Sequence, residues 1–452
     1  MKNRILLSVA LTACLIPVFA NAANQYVRPG ATGRNDGSDW ANAYTKLPAT
    51  LKRGDTYYLA GGSYGNYVFD DANSGTATIT IKKATEADHG TGTGWSPTFG
   101  STQAVFNNWQ IYTDYYVFEG QTRNSNWQTG ATSQYGIKVA GTRPVRLDNG
   151  SGTGGDYLTF RHIDFQGGGR DTGAGDDVIY GLSGNSYITF QNCALHDSDR
   201  TIFLMRGNWR NLTVDHNYIA RNTSTPAIHG EMLSMTESTD VVWSNNVMED
   251  IEGTAFIAGL NGGTVANWKI FGNVAVHSAA YAADTGRKPG HNYGVSGFVF
   301  VANDATNNNT GNNFQVYNNT FVNLKGTWSG VVIQKGTGHE VRNNIWYGSV
   351  RTNNSFSGTM SNNWYYNTQA DGDSSATKTV CASGCDVFSS IVSKDFRLKT
   401  PLGGGMSLAA PYNVDMYGST RGKDGTWDRG AFEFSVGGTV ATVQPPTNLS
   451  VN

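Results

Sequence analysis

Seven short phrases recur along this 452-residue chain: YITFQNCAL, LTVDHNYIA, VVWSNNVME, WKIFGNVAV, FQVYNNTFV, HEVRNNIWY and TMSNNWYYN. Each is an alternating run that ends in asparagine and resumes with apolar side chains. With Asn192, Asn217, Asn246, Asn273, Asn319, Asn344 and Asn363 as markers, the spacings are 25, 29, 27, 46, 25 and 19 residues. A period near 25, with one long gap for an insertion or a weak extra turn, is that of a solenoid, whose repeats bury their apolar faces only by stacking on one another. In Leu212-Thr213-Val214-Asp215 apolar and polar side chains alternate, the period-2 mark of a half-buried strand. Strands of about five or six residues leave room for three in each coil. The expected fold is therefore all-β, a right-handed parallel β-helix. Asparagine suits the corner because it tolerates left-handed backbone and satisfies turn amides with its side chain. Stacked on successive rungs, asparagines can also hydrogen-bond as a ladder. A propeller blade would need about 40 residues per repeat, and the regular leucines of a leucine-rich repeat are missing.

Composition agrees: 56 glycines and only 11 prolines suit many short strands joined by tight turns. A formal net charge of -2 gives no global field to recruit nucleic acid, so any charge complementarity must be local. The first 22 residues, MKNRILLSVALTACLIPVFANA, place two cations before an apolar stretch and small residues at Ala20-Asn21-Ala22, the pattern of a secretory signal peptide. Cleavage after Cys14, as in a lipoprotein, fits less well because the apolar run continues past it. No other segment is long and apolar enough to span a bilayer. The protein is expected to be exported, to the periplasm or the outside of the cell. Residues 23–106 are expected to form an N-terminal cap and first coils, 107–434 the β-helix, and 435–452 a linker-like tail. Cys381 and Cys385 in CASGC could close a small disulfide in an oxidising compartment, and Cys193 reads as a buried small hydrophobe.

Three passages resemble the right-handed parallel β-helix proteins of the pectate-lyase superfamily. Residues 26–84 resemble their N-terminal cap and first coils, 157–367 their stacked rungs, and KDFRLKTPLG with DRGAFEF (394–434) their closing coil. The resemblance implies a fold and a carbohydrate ligand more than an activity, because the fold hosts many activities. HGEMLSM, 229–235, is similar in spacing to an E-x-E strand of chondroitinase B and the alginate lyases resembling it. In that family acidic groups there help to hold calcium and the substrate carboxylate. Glu231 carries over, whereas His229 replaces the first acid. The family's lysine base and its arginine on the next rung would fall at Met235-Thr236 and Ile257-Ala258, so neither cation is matched. The lyase mechanism does not carry over intact.

A β-helix binds polymers along outward polar residues on rungs about 4.8 Å apart. Arg206 lies fourteen residues after Asn192 and Glu231 fourteen after Asn217, so a gap-free register puts them in one outward column. His229 shares the face of Glu231. Arg206, His229 and Glu231 are thus a candidate catalytic cluster, or else a surface ion pair worth about 0–1 kcal/mol. Arg200 joins the candidate substrate-binding residues, with Tyr281, Arg287, Lys288, His291 and Tyr293 of the Gly/Pro-containing stretch 280–294. Cations there could pair with uronate carboxylates and tyrosines could meet sugars, unless the stretch is a solvated loop. Asp197 and Asp199 supply hard oxygen ligands of the kind Ca2+ takes, though turn-forming Asp explains them as well.

Three functions remain open. The first is a polysaccharide lyase acting on a uronic-acid polymer by β-elimination. The second is a glycoside hydrolase with a carboxylate pair drawn from Asp197, Asp199, Asp215, Glu231, Asp250 and Glu252. The third is a non-catalytic glycan-binding, adhesin or matrix protein.

Overall fold

The corner after each alternating run decides how the chain winds. The computed structural model describes residues 22–435 apart from 151, 153, 226–229, 260–262, 284–297, 302–309, 326–328 and 353–354. The expected signal peptide, the terminal tail and His229, Arg287, Lys288, His291 and Tyr293 lie outside the described residues. At the corners His162, Asn192, His216, Asn245, Gly272, Asn318, Asn343 and Asn362 have φ between 53° and 66°, a left-handed conformation that Asn and Gly adopt most readily. The following residue turns inward. Asn217 N donates to Asn246 Oδ1 at 2.8 Å, Asn246 N to Asn273 Oδ1 at 2.9 Å, and Asn273 N to Asn319 Oδ1 at 3.0 Å. Asn319 and Asn344 continue the ladder to Asn363. Each side chain pairs a buried backbone group that the turn would otherwise orphan.

One marker was misplaced. Ala194 pairs with Tyr218, so Cys193, not Asn192, occupies the ladder position, and its N donates to Asn217 Oδ1 at 2.8 Å. Asn192 belongs to the corner column instead. Cys193 is buried in the core, as expected of a small hydrophobe.

Each coil contributes strands to three stacked sheets. Sheet I contains Ile163–Gln166, Ala194–His196, Tyr218–Ala220, Val247–Glu249 and Val274–Val276. Sheet II contains Val145–Arg146, Ile179–Gly181, the first part of Phe203–Asp215, the first part of Glu231–Ser244, Thr254–Ala258 and Val299–Val301. Sheet III contains Leu158–Arg161, Ser186–Gln191, the remainders of the two long strands, Thr264–Phe271 and Thr310–Tyr317. Among the described residues every pairing between strands is parallel, except in the hairpin Phe388–Ser390 with Asp395–Leu398. The protein is a parallel β-helix.

Inward side chains form one continuous apolar column from Val27 to Tyr365. Phe118, Phe160 and Phe190 stack along it with centroids 5.0 and 4.7 Å apart. Among the described residues helix is confined to short pieces such as Pro97–Gly100 and Ala279–Ala283, and none is long and apolar enough to cross a membrane.

After the disulfide Cys381–Cys385 and the hairpin, the chain doubles back along the corner column. Asn362 Nδ2 donates to Gly404 O at 2.9 Å, Asn343 Nδ2 to Met406 O at 2.8 Å and Asn318 Nδ2 to Tyr412 O at 3.2 Å. His216 Nε2 lies 3.0 Å from Met416 O. The paired asparagines of the repeat thus have separate tasks: the first holds this strap and the second builds the internal ladder.

Candidate functional site

Strand register places a column of outward residues across sheet II. Arg146 pairs with Tyr180, Tyr180 with Leu204, Leu204 with Ser234 and Ser234 with Ile257. Arg206 follows Leu204 by two residues and shares its side of the sheet. Asp177, Thr201 and Glu231 succeed one another where the chain enters these strands. Thr201 N meets Asp177 Oδ1 at 3.3 Å, and Thr201 Oγ1 donates to Glu231 Oε2 at 3.3 Å.

The gap-free register of the sequence does not hold. Met205 pairs with Met235, which places Arg206 beside Thr236 and Glu231 beside Thr201. From the ladder position to the first paired residue of sheet II takes ten residues from Cys193 to Phe203 and from Asn246 to Phe256, but sixteen from Asn217 to Leu233. The extra six lie in the turn 220–230 and shift everything after them. Glu231 was also expected to point outward, yet it is only 3% exposed. Just before it, Gly230 N donates to Ser224 Oγ at 3.3 Å. Met232 fills the core as expected.

Electrostatics still unite the cluster. Arg200 grips Asp177 with both ends of its guanidinium, Nε lying 2.9 Å from Oδ1. That hydrogen bond, aided by the charges of Asp177 and Glu231, raises the pKa of Arg200. Burial lowers the pKa of Arg206, and the charge of Glu231 opposes the shift. Arg206 Nη1 donates to Ser234 Oγ at 3.0 Å, and among the described residues no carboxylate lies within ion-pair distance of it. Arg143 and Arg146 both lie over the Tyr180 ring, at 4.2 and 5.7 Å from its centroid. Beneath them the Asp148 and Asp177 side chains are 0% exposed, whereas those of Arg143, Arg146 and Arg200 are 34%, 33% and 30% exposed. The acids are sunk and the cations surface. Burial raises the Asp177 pKa, against the pull of the Arg200 hydrogen bond and charge.

Three projections wall one edge of this face. The loop 169–177 sends Arg170 to Glu252, and Asp171 N donates to Thr223 Oγ1 of the long turn at 3.2 Å. Arg170 also lies 6.0 Å from the ring centroid of Tyr281, in the helix Ala279–Ala283. Tyr281 was expected to meet substrate, but it is buried, its ring 4.5 Å from that of His277. It braces the wall.

The proposed calcium ligands are otherwise engaged. Asp197 meets His196 Nδ1 at 2.7 Å and takes Arg221 on its other oxygen. Burial would raise its pKa, but the hydrogen bonds from His196 and Arg221 hold it well below the usual carboxylate range. Asp199 accepts the backbone amides of Thr172 and Gly175, each at 2.8 Å, and so folds the loop 169–177. Among the described residues no group of three His, Cys, Asp or Glu is placed to hold a metal. The hydrolase carboxylates are also occupied: Asp215 by His216 and Ser244, Asp250 by Ser278, and Glu252 by Arg170 and Ser224.

Sequence reasoning missed Arg143, Arg146 and Tyr180. Arg146 and Tyr180 lie in strands, Val145–Arg146 and Ile179–Gly181, that are too short to show alternation and precede the first marked rung, and Arg143 lies just before the first of them.

No protein-family model matches the chain, and no curated protein matches it in sequence. Among solved structures it is similar to pectate lyase Pel9A, at 17% identity and a TM-score of 0.48, over 92% of this chain and 97% of that one. It is also similar to a mannuronic acid specific polysaccharide family 6 lyase from human gut microbiota, at 13% identity and a TM-score of 0.41, over 74% and 78% of the two chains. A third likeness is to PfbA, a surface adhesin of Streptococcus pneumoniae, at 11% identity and a TM-score of 0.31, over 75% and 81%. Such distant likenesses do not separate one activity from another.

Proposed function

We propose that this protein is an exported, carbohydrate-active β-helix that binds an acidic polysaccharide on the outer face of sheet II and cleaves a uronic-acid polymer by β-elimination. The observation that carries the reading is the layering of charge: arginines reach solvent above carboxylates that do not. A face built in this way attracts carboxylates, although the whole chain is slightly acidic. In the elimination, Arg206 and Arg200 pair with the uronate carboxylate and so acidify the neighbouring C5 proton. Glu231 sits behind them and tunes their charge. His229, two residues before Glu231 in the chain, is the proposed base: an imidazole can take the C5 proton, the electrons left behind form the C4–C5 double bond, and the C4–O bond breaks, its oxygen leaving with a proton from the same imidazolium or from water. No step is assigned to a metal.

A non-catalytic glycan binder is the second reading. It is favoured by Met235-Thr236 and Ile257-Ala258, none of them a cation, at the positions where the lyases that this stretch resembles would offer one; Met235 and Ala258 are fully buried. Incubation with a panel of polyuronates, with and without chelator, separates the readings. Lyase activity generates a C4–C5 double bond and a rise in ultraviolet absorbance. New reducing ends without that absorbance identify a hydrolase, and binding without either signal identifies a binder. Failure to bind any acidic glycan would sink the reading altogether.

A further inference from the structure

The outward column of sheet II extends two rungs beyond Arg206, toward the N-terminus. Arg146 pairs with Tyr180 and Tyr180 with Leu204, so Arg146 lies two rungs, about 9–10 Å, from the coil that carries Arg206. Tyr180 holds two guanidiniums over its ring, a contact that fixes their planes without neutralising them. The carboxylates beneath are satisfied by other donors. Asp148 accepts Gly150 N and Leu182 N, each at 2.8 Å, and Arg146 adds one contact at 3.1 Å. Asp177 is held by Arg200 and by Thr201 N, and leaves Arg143 at 3.8 Å. Arg143 is 3.7 Å from Asp176, also longer than a charge-assisted hydrogen bond of about 2.7–2.9 Å. The Nε atoms of Arg143 and Arg146 are buried and have no hydrogen-bond partner among the described residues. These two cations are therefore positioned beyond what the scaffold needs.

We infer that Arg143, Tyr180 and Arg146 form a separate anion subsite that takes the carboxylate or sulfate of a second sugar on the same glycan. The chain would then lie along the solenoid axis, one acidic group at Arg206 and another at the Arg143–Arg146 pair. Leu204, between them, is 8% exposed and adds no charge between the two anion sites. This inference rests on the proposed acidic-glycan reading and adds the direction of the polymer and a minimum length for it.

The test measures affinity against chain length at low salt. Wild type and the Arg143→Gln/Arg146→Gln variant are titrated with uronate oligosaccharides from the disaccharide to the octasaccharide, with a matched sulfated series and a neutral series alongside. Wild type should gain at least tenfold, about 1.4 kcal/mol, once the acidic oligosaccharide spans both sites. The variant should bind the disaccharide as wild type does and lose the gain with length. A gain in the uronate or the sulfated series identifies which acid the subsite takes. An Arg143→Lys/Arg146→Lys variant, which keeps the charge, should retain part of the gain, and thermal melting of all three proteins checks that they fold alike. Wild type that binds acidic oligosaccharides without a gain in length, or a Gln variant that keeps the gain, overturns the subsite alone. Wild type that binds neither acidic series overturns the acidic-glycan reading as well.

Discussion

Glu231 and Arg206 are neighbours with opposite tasks. Glu231 is buried against Thr201, so its carboxylate acts on Arg200 and Arg206 from behind. Replacing it with glutamine removes a charge from a packed position, and the expected result is a loss of about 1–3 kcal/mol of stability with less than a threefold change in glycan affinity. Arg206→Gln should do the reverse, leaving the melting temperature nearly unchanged and weakening glycan binding about tenfold. Melting and titration on both variants decide the matter; a Glu231→Gln protein of normal stability with binding down tenfold would return Glu231 to the ligand. His196 makes a second test at this scale. Its Nε2 meets Asp164 at 2.7 Å and its Nδ1 meets Asp197 at 2.7 Å. Burial pulls its pKa down, but the two carboxylates prevail and raise it above 6.5. A raised folded pKa means stabilisation fully present below the unfolded value and lost as pH rises through the folded one. The melting-temperature gap between wild type and His196→Gln should therefore be widest below pH 6.5 and shrink toward alkaline pH. A gap that grows with pH would show that the imidazole is neutral in this network.

Corners and turns carry the information at the next scale. Asn344 Oδ1 accepts both Asn319 N and Asn319 Nδ2 at 2.9 Å, and its own Nδ2 donates to Val316 O at 2.8 Å. Asn344→Ala strands these buried groups and should cost about 2–5 kcal/mol. Its neighbour Asn343 holds only the strap, at φ 57°, so Asn343→Gly keeps the corner and should cost about 1–2 kcal/mol. Chemical denaturation of both variants checks the order, and equal losses would contradict the division of labour between the two asparagines. The doubled asparagines were legible because corner chemistry admits few residues. The identity of the ladder rung at Cys193 was not, since Asn192 next to it satisfies the same corner rule. Nor was the six-residue lengthening of the turn 220–230, whose polar residues read like those of any turn. That one insertion moved Glu231 out of the Arg206 column and into the wall. The arginine face escaped for a related reason: Arg143, Arg146 and Tyr180 come together through strand pairing across coils, and short unmarked strands give no register to read in advance.

Across the whole molecule the strap changes what kind of solenoid this is. In a simple repeat protein each coil touches only its neighbours, so ends can fray while the middle stays folded. Here residues 404–416 bind corners from Asn362 back to His216, and Lys394 Nζ reaches Glu249 Oε2 at 2.6 Å. Gln128 Nε2 donates to Tyr417 OH at 3.2 Å, joining segments 289 residues apart. Coils remote from one another are thus tied to one segment. Its own base is rigid: Asp428 accepts Leu402 N and Phe434 N, while Glu433 accepts Gly422 N and Asp428 N. The tie should make unfolding more cooperative than stacking alone would. A chain ending before Leu402 is expected to lose the single sharp transition of the full-length protein, melting earlier and over a broader range. Its amide exchange should accelerate first along the corner column near Asn318, Asn343 and Asn362, where the strap has been removed. The proposed acidic-glycan site on sheet II should keep its affinity below the onset of that transition, because Arg146, Tyr180 and Arg206 make no contact with the strap among the described residues. A truncated protein that still melts as one sharp unit would assign the cooperativity to the continuous aromatic core instead, and the strap would then only cover the corner.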